Sequence, residues 1–350
     1  MIKQVLFTVL MTILSFLPVG EVCSQSALQT FSGLASDAAI QYSQPAITAF
    51  GSGMNSGWFS GLPSSSNSFH AKLRIIGVGS TFNDQRTFST ITKFNFTSEQ
   101  VDEILSNSGL TPSNTSNYDD IKNEILSELW EVRIYGPTIT GSNSDYLKVD
   151  FPERNIQGYD IESQTITVTE VTGLLNNKEF LPTPAIQLDL SSVLGTGISF
   201  RYFNGVQLEN IGKINIFGAG IVHNINYWFS ETFPIDVGFG YYFQKFKVGD
   251  IFSNSTSQFG IYVSKEIGAI VSFVPYISLT SESSQTNIKY NYTFDTPVGP
   301  QDLELSVDYD QDNTIAIIIG AALNFPVISL NVDYKISETQ TGTVGIGIGF

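Results

Sequence analysis

Cysteine is almost absent. Cys23 is the only one in 350 residues, so no intramolecular disulfide can staple this chain, even in a compartment that would permit one. Basic residues are scarce too: 17 Lys and Arg stand against 33 Asp and Glu, a net charge of −16. That balance argues against a nucleic-acid partner. Charge of either sign is thin, at 14% of residues, where a soluble domain usually carries about a quarter. Beyond the N-terminal stretch no uninterrupted apolar run could form a spanning helix, which needs about 20 residues. What the chain has instead is aromatics and glycine: 26 Phe, 15 Tyr and 30 Gly.

Residues 1–24 have the layout of a secretory signal. Lys3 supplies the positive n-region, Val5 to Val19 the apolar stretch, and Val22 and Ser24 fit cleavage after Ser24. The apolar stretch is too short for a membrane anchor and no positive flank follows it. Gly20-Glu21-Val22 before Cys23 is not a lipoprotein signal. An exported, aromatic- and Gly-rich chain without a membrane helix points to an all-β, transmembrane antiparallel β-barrel. Only helices and closed barrels satisfy the backbone in lipid.

The first mature segment, 25–68, is rich in Ala, Ser and Gly, with Tyr42, Pro45 and Trp58 inside. It reads as partly helical and of a length to plug a barrel. Residues 69–350 read as the barrel. Strand-like stretches start at Phe69–Thr81 and Arg86–Phe96. Between them and the next strands lies a helical insertion, 97–129. It opens with Thr97-Ser98-Glu99-Gln100, a capping pattern, and continues with the amphipathic Asn117–Leu129. Trp130–Tyr135, Tyr146–Phe151 and Gln164–Thr172 are also strand-like.

From Pro184 onward a period of two recurs. Ile328, Leu330, Val332, Tyr334 and Ile336 alternate with Ser329, Asn331, Asp333 and Lys335, and the chain ends on Thr343-Val-Gly-Ile-Gly-Ile-Gly-Phe350. Short junctions at 192–195, 266–268 and 324–326 alternate with longer ones at 204–212, 249–255 and 281–313. Short periplasmic turns and longer outer loops alternate in this way, and the count is about 14 strands, with about 12 as the runner-up. An even count leaves both termini in the periplasm.

Polar residues on spanning strands mark the lumen. Asp189, Arg201, His223, Asp333 and Lys335 are its candidates, as ligand contacts or as ion pairs that fill it. His70 and His223 are the only histidines, and no Gly-x-Ser-x-Gly accompanies them, so a barrel hydrolase is the third choice. Asp308, Asp310 and Asp312 are spaced like the start of a calcium loop. Asn313 and Ile319 replace its Gly and Glu, so no metal and no cofactor is expected. Tyr227, Trp228, Tyr241, Tyr242, Tyr276, Tyr290, Tyr292 and Tyr334 suit interface girdles or the lumen.

The stretch GTGISFRYFNG, followed by IGKINIFGAGIVHNINYWFSETFPIDVGFGYYF, resembles a family of uncharacterised outer-membrane β-barrel proteins of the Bacteroidota type. The matching positions are Arg201-Tyr202, Gly218, Gly220, His223, Trp228, Pro234 and Gly240-Tyr241, together with Tyr42, Pro45, Gly53 and Trp58. The plan, though not the motifs, is also similar to outer-membrane transporters of long-chain fatty acids and hydrocarbons. The resemblance implies an outer-membrane location in a Gram-negative bacterium, with lipid as a partner.

Composition and resemblance together suggest passive transport or binding of a small, even hydrophobic, molecule. The alternative is a structural or adhesion barrel acting through its insertion and outer loops. The closing strand, ending at Phe350, is the expected signal to the barrel-assembly machinery. On this basis Leu330→Arg should impair assembly, whereas Asn331→Arg should be tolerated more often.

Overall fold

The computed structural model describes residues 25–64, 69–94, 98–128, 130–169, 171–208, 212–229, 233–296 and 299–349. The signal segment 1–24, its Cys23 and the terminal Phe350 lie outside them.

Ten strands close into an antiparallel barrel: β1 (His70–Thr81), β9 (Ala185–Val193), β10 (Thr196–Leu208), β11 (Gly212–Asn224), β12 (Asp236–Val248), β13 (Phe252–Ser264), β14 (Ser272–Thr296), β15 (Gly299–Asn324), β16 (Ile328–Ile336) and β17 (Thr341–Gly349). Each pairs with its neighbour in sequence, except that β1 pairs with β9. The seam is β1 on β17, in register from Lys72↔Gly349 to Ser80↔Thr341. Closure leaves no free edge around the wall.

The expected 14 strands, and the 12 held in reserve, are corrected to ten. The strand-like stretches between 86 and 172 do form strands, but outside the barrel. β2 (Thr87–Phe94), β3 (Trp130–Pro137), β4 (Leu147–Phe151) and β7 (Gln164–Val168) make a separate four-stranded sheet, and β5 (Arg154–Ile156) and β6 (Tyr159–Ile161) a hairpin. Period-two alternation reports a half-buried strand and not which sheet it joins. A short β8 (Phe180–Pro182) pairs with the top of β1 and leads across Thr183-Pro184 into β9.

The sheet and two helices, α2 (Ser98–Asn107) and α3 (Tyr118–Ser127) in chain order after the N-terminal α1 (Gln25–Met54), form a dome over one end of the barrel. The insertion therefore runs from Phe82 to Pro184, wider than the expected 97–129. Val101, Leu105, Ile121 and Ile125 from the helices pack with Trp130, Val132, Ile134 and Val149 from the sheet, all buried. Ile125→Ala is expected to cost the dome about 2–5 kcal/mol. Limited proteolysis should then cut within 82–184 while the barrel keeps its heat-modifiable gel migration.

Ser281–Asn313 is not a loop. The β14–β15 ladder continues from Ser272↔Asn324 to Thr296↔Gly299 with one register shift near Glu282. At 3.3 Å per residue the hairpin reaches about 80 Å, far more than a wall needs. At the opposite end the connections are Leu194-Gly195, both at positive φ, the longer 225–235, then 265–271 and Phe325-Pro326-Val327; 204–212 and 249–255, expected as longer loops, are mostly strand, so junction length does not alternate between the two ends. This is the turn end; the dome marks the loop end.

Outward side chains form an apolar belt. Leu73, Ile75, Ile186, Phe200, Phe243, Ile261, Leu279, Ile317, Leu330, Val344 and Ile348 are all exposed, Ile75 at 61% and Ile348 at 63%. The belt gives way to Lys245 and Lys247 on β12 and to Ser281 and Ser283 on β14 towards the loop end.

Candidate functional site

α1 descends from the dome into the lumen. Near its top the Tyr42 hydroxyl donates to Thr172 O at 2.6 Å, and Tyr42 O accepts from Ile139 N at 2.9 Å. Pro45, inside the helix, has no N–H to return to the preceding turn. Midway, Phe50 packs edge-on against Phe246 at 5.1 Å and Phe252 at 5.5 Å. A ten-stranded barrel is narrow, which explains the run of Ala, Ser and Gly. A methyl on Gly53 would lie 2.3 Å from Thr183 Oγ1. By Leu62 and Pro63 the chain has reached the turn end: Leu62 N donates to Ser264 Oγ at 3.2 Å, and Pro63 O accepts from Asn224 Nδ2 at 2.8 Å.

The last carbonyls of a helix lack partners of their own. Here the wall supplies cations to them. Lys335 Nζ donates to Ser52 O at 2.8 Å, Arg201 Nη1 to Met54 O at 3.3 Å and Arg201 Nη2 to Ser56 O at 2.8 Å. Just beyond, Arg74 Nη2 donates to Trp58 O at 2.6 Å. Positive charge belongs at a helix C-terminus.

All three cations are buried: Lys335 at 0%, Arg74 at 1% and Arg201 at 2% exposure. Charges so deep require paired and hydrogen-bonded partners. Asp189 accepts from Arg74 Nε at 2.6 Å, Gln187 Nε2 at 2.6 Å and Ser199 Oγ at 2.5 Å. Gln187 Oε1 in turn accepts from Arg201 Nε at 2.8 Å, and Gln244 Oε1 from Arg201 Nη1 at 3.1 Å. Glu282 accepts from Lys335 and Gln258, each at 2.8 Å, and Asp333 from the Tyr276 hydroxyl at 3.1 Å.

Two aromatics lock into the wall below the helix. Trp58 stacks on Tyr242 at 5.1 Å, with the Arg201 guanidinium 3.8 Å over its ring. Phe59 sits 4.5 Å from Tyr262 and edge-on to Tyr276 at 5.2 Å. Tyr242 lies across Gly220 of β11, its cross-strand partner. A methyl at Gly220 would fall 1.9 Å from Tyr242 Cδ1. Gly220→Ala should therefore push the ring off Trp58 and cost about 1–3 kcal/mol, seen as a lower denaturant midpoint in detergent micelles. Under Trp58 and Phe59 a vestibule of about 470 Å³ opens towards the turn end, lined by Leu62, Lys72, Arg74, Asp189, Tyr242 and Asn324 among others.

Of the sequence candidates, Asp189 and Arg201 fall in one network. Asp333 and Lys335 point inward from β16. His223 is corrected. Val222 and Asn224 take the inward positions on β11, which puts His223 on the outer face. There Nδ1 lies 2.9 Å from Thr196 Oγ1 and the ring 4.5 Å from Trp228. Tyr241 and Tyr334 face outward and Tyr242 and Tyr276 inward. The side chains of Tyr290, Tyr292 and Asp312 lie outside the described residues. Asp308 accepts from Asn287 Nδ2 at 2.7 Å. Among the described residues no three His, Cys, Asp or Glu side chains converge to hold a metal.

Arg74, Glu282, Gln187, Gln244, Trp58 and Phe59 were not singled out as lumen residues from sequence. Arg74 shares a strand face with Lys72, a signal that was available. Glu282 lay hidden in a stretch taken for a loop.

The fold and its filled lumen define a class: a closed β-barrel, of the outer-membrane type in architecture, plugged by its own N-terminal segment. The whole chain, residues 1–350, matches a family of unknown function, DUF6588, and the protein belongs to that family. No curated protein matches it. Solved structures similar to it include a loop-deletion mutant of the outer-membrane protein OmpT of Vibrio cholerae, at 9% identity, covering 81% of this chain and 98% of that one, TM-score 0.24. Ail of Yersinia pestis is 9% identical over 83% of this chain and 100% of its own, TM-score 0.19. Salmonella typhi OmpF, in complex with daunomycin, is 10% identical over 82% and 98%, TM-score 0.21.

Proposed function

We propose that this protein is an outer-membrane β-barrel of a Gram-negative bacterium, exported by residues 1–24. Its lumen is held shut by residues 25–64, and it binds a small solute in the vestibule beneath them. A continuous belt of exposed Ile, Leu, Val and Phe on a closed sheet is far larger than a soluble surface tolerates, and lipid is the solvent that suits it.

The observation that carries the closed state is the clamp of Lys335, Arg201 and Arg74 on the carbonyls of Ser52, Met54, Ser56 and Trp58. Each of these bonds joins the wall to the plug, so the plug cannot leave without stranding buried charge. Passage of any solute requires that clamp to open.

Purified barrel in planar bilayers should show no steady conductance, and liposomes carrying it should not swell in small sugars. A constant open-pore current from the intact chain would refute the closed plug. Recovery from the soluble periplasmic fraction would refute the membrane location.

The second choice, a structural or adhesion barrel, is favoured by the dome having its own core and by the long β14–β15 hairpin. A strain lacking 87–168 that assembles normally but loses attachment to surfaces would favour it.

A further inference from the structure

We propose that the vestibule is a binding site for a small organic anion, whose carboxylate or other oxyanion head is held by Lys72 and Arg74. The inference deepens the solute-binding role proposed above and rests on Trp58 and Phe59 forming the vestibule's floor.

Lys72 and Arg74 occupy successive inward positions on β1. Gly347 of β17 is the cross-strand partner of Arg74, and an added Cβ there would meet Arg74 Cγ at 3.0 Å and Lys72 Cδ at 3.1 Å. The bare backbone thus lets both cationic stems lie side by side. Lys72 Nζ donates to a neutral partner, Asn324 Oδ1, at 3.2 Å, and makes no ion pair among the described residues. Arg74 uses Nε on Asp189 and Nη2 on Trp58 O, while Nη1 is buried without any partner.

A buried guanidinium nitrogen without an acceptor is costly, and an unpaired lysine in a lumen is uncommon company for it. Lys72 and Arg74 both line the cavity, and Nη1, closed to water in the resting position, becomes a second donor when the guanidinium turns towards a carboxylate bound by Lys72. The carboxylates nearby do not cancel them. Asp189 is held by Arg74, Gln187 and Ser199, Asp236 by Asn224 and Asn226, and Glu266 stands exposed at the rim. The rest of the lining includes Trp58, Leu62, Tyr242 and Val274, which suits an apolar body behind the anionic head. At about 470 Å³ the space falls in the range of small-molecule sites.

The probe is benzoate, with neutral benzamide as its isostere. Trp130→Phe and Trp228→Phe leave Trp58 as the sole tryptophan and a reporter on the vestibule floor. In the refolded full-length barrel, benzoate should change Trp58 fluorescence saturably and benzamide should not. Lys72→Met should weaken benzoate at least about tenfold, and Lys72→Arg should retain it. Lys72 is only partly buried, so these variants should fold, with heat-modifiable migration as the check. Arg74→Gln is a second arm wherever it assembles.

Equal binding of benzamide and benzoate, no loss in Lys72→Met, or no saturable response to benzoate would each overturn the site. Conductance separates the two proposals. A barrel that is closed to current yet indifferent to benzoate loses the anion site and keeps the plug. One that conducts yet binds benzoate through Lys72 loses the seal and keeps the site, with Trp58 and Phe59 still seated above it.

Discussion

Arg201→Ala should turn a closed barrel into a leaking one. The side chain makes bonds to Gln187 and Gln244 on the wall and to Met54 O and Ser56 O on the plug, and it covers the Trp58 ring. Truncation leaves Ser56 O and the amide oxygens of Gln187 and Gln244 without this donor, while Met54 O keeps Trp58 Nε1 at 3.3 Å. Leaving buried acceptors unsatisfied typically costs about 1–3 kcal/mol each. The wall itself is held by backbone ladders that the substitution leaves intact. The loss should therefore fall on the seating of 55–64, and the barrel should still migrate as a folded species. Bilayer recordings should show transient openings absent from the parent, and protease should reach Gly57 and Gly61 from the turn end. Arg201→Lys should close the barrel only in part, because one ammonium cannot serve all four acceptors. Silent recordings from Arg201→Ala would show that the aromatics alone hold the plug.

Leu330→Arg is expected to stop assembly. Leu330 stands outward on β16, 44% exposed in a row with Ile328, Val332 and Tyr334. An arginine there meets lipid at a cost of about 2–4 kcal/mol near the midplane, and Leu330→Phe should be neutral. Loss of the folded band for Arg and its retention for Phe in membrane fractions is the measurement; equal bands would contradict the assigned face. Asn331→Arg, expected from sequence to be tolerated more often, should also be damaging. Asn331 is buried, and its Oδ1 lies 2.2 Å from where a Cβ on Gly345 would be. A lumen that is filled rather than wet has no room for the longer side chain. Both substitutions damage the protein, one through lipid and the other through crowding.

The wall was largely legible. The alternation of β16 and β17 set their inward and outward faces correctly, and so did that of β9 and β10. Period two does not reveal partners, so the dome strands were counted into the wall. It also does not reveal where a membrane stops: Ser281–Asn313 is polar like a loop but paired like a ladder. The lumen candidates Asp189, Arg201, Asp333 and Lys335 emerged because a charge on an apolar strand must face inward. Arg201 and Lys335 spend donors on backbone carbonyls of the plug, which have no signature in side-chain identity, while Asp189 and Asp333 accept from side chains of the wall. His223 was misplaced by one position of phase: its neighbour Asn224, not the histidine, turns in to hold Pro63 O.

The descent of α1 also changes the parity of the chain. With an even number of strands alone, a chain begins and ends on one side, as expected from sequence. Here Tyr42 is bonded to the dome and Pro63 to the turn end, so the N-terminal segment makes one crossing before β1 begins. Ten strands plus this passage give an odd number of traverses, and Tyr42 and Gly349 lie at opposite ends of the barrel. An epitope placed ahead of Tyr42 and another placed after Gly349 would therefore be read from opposite faces of the same membrane.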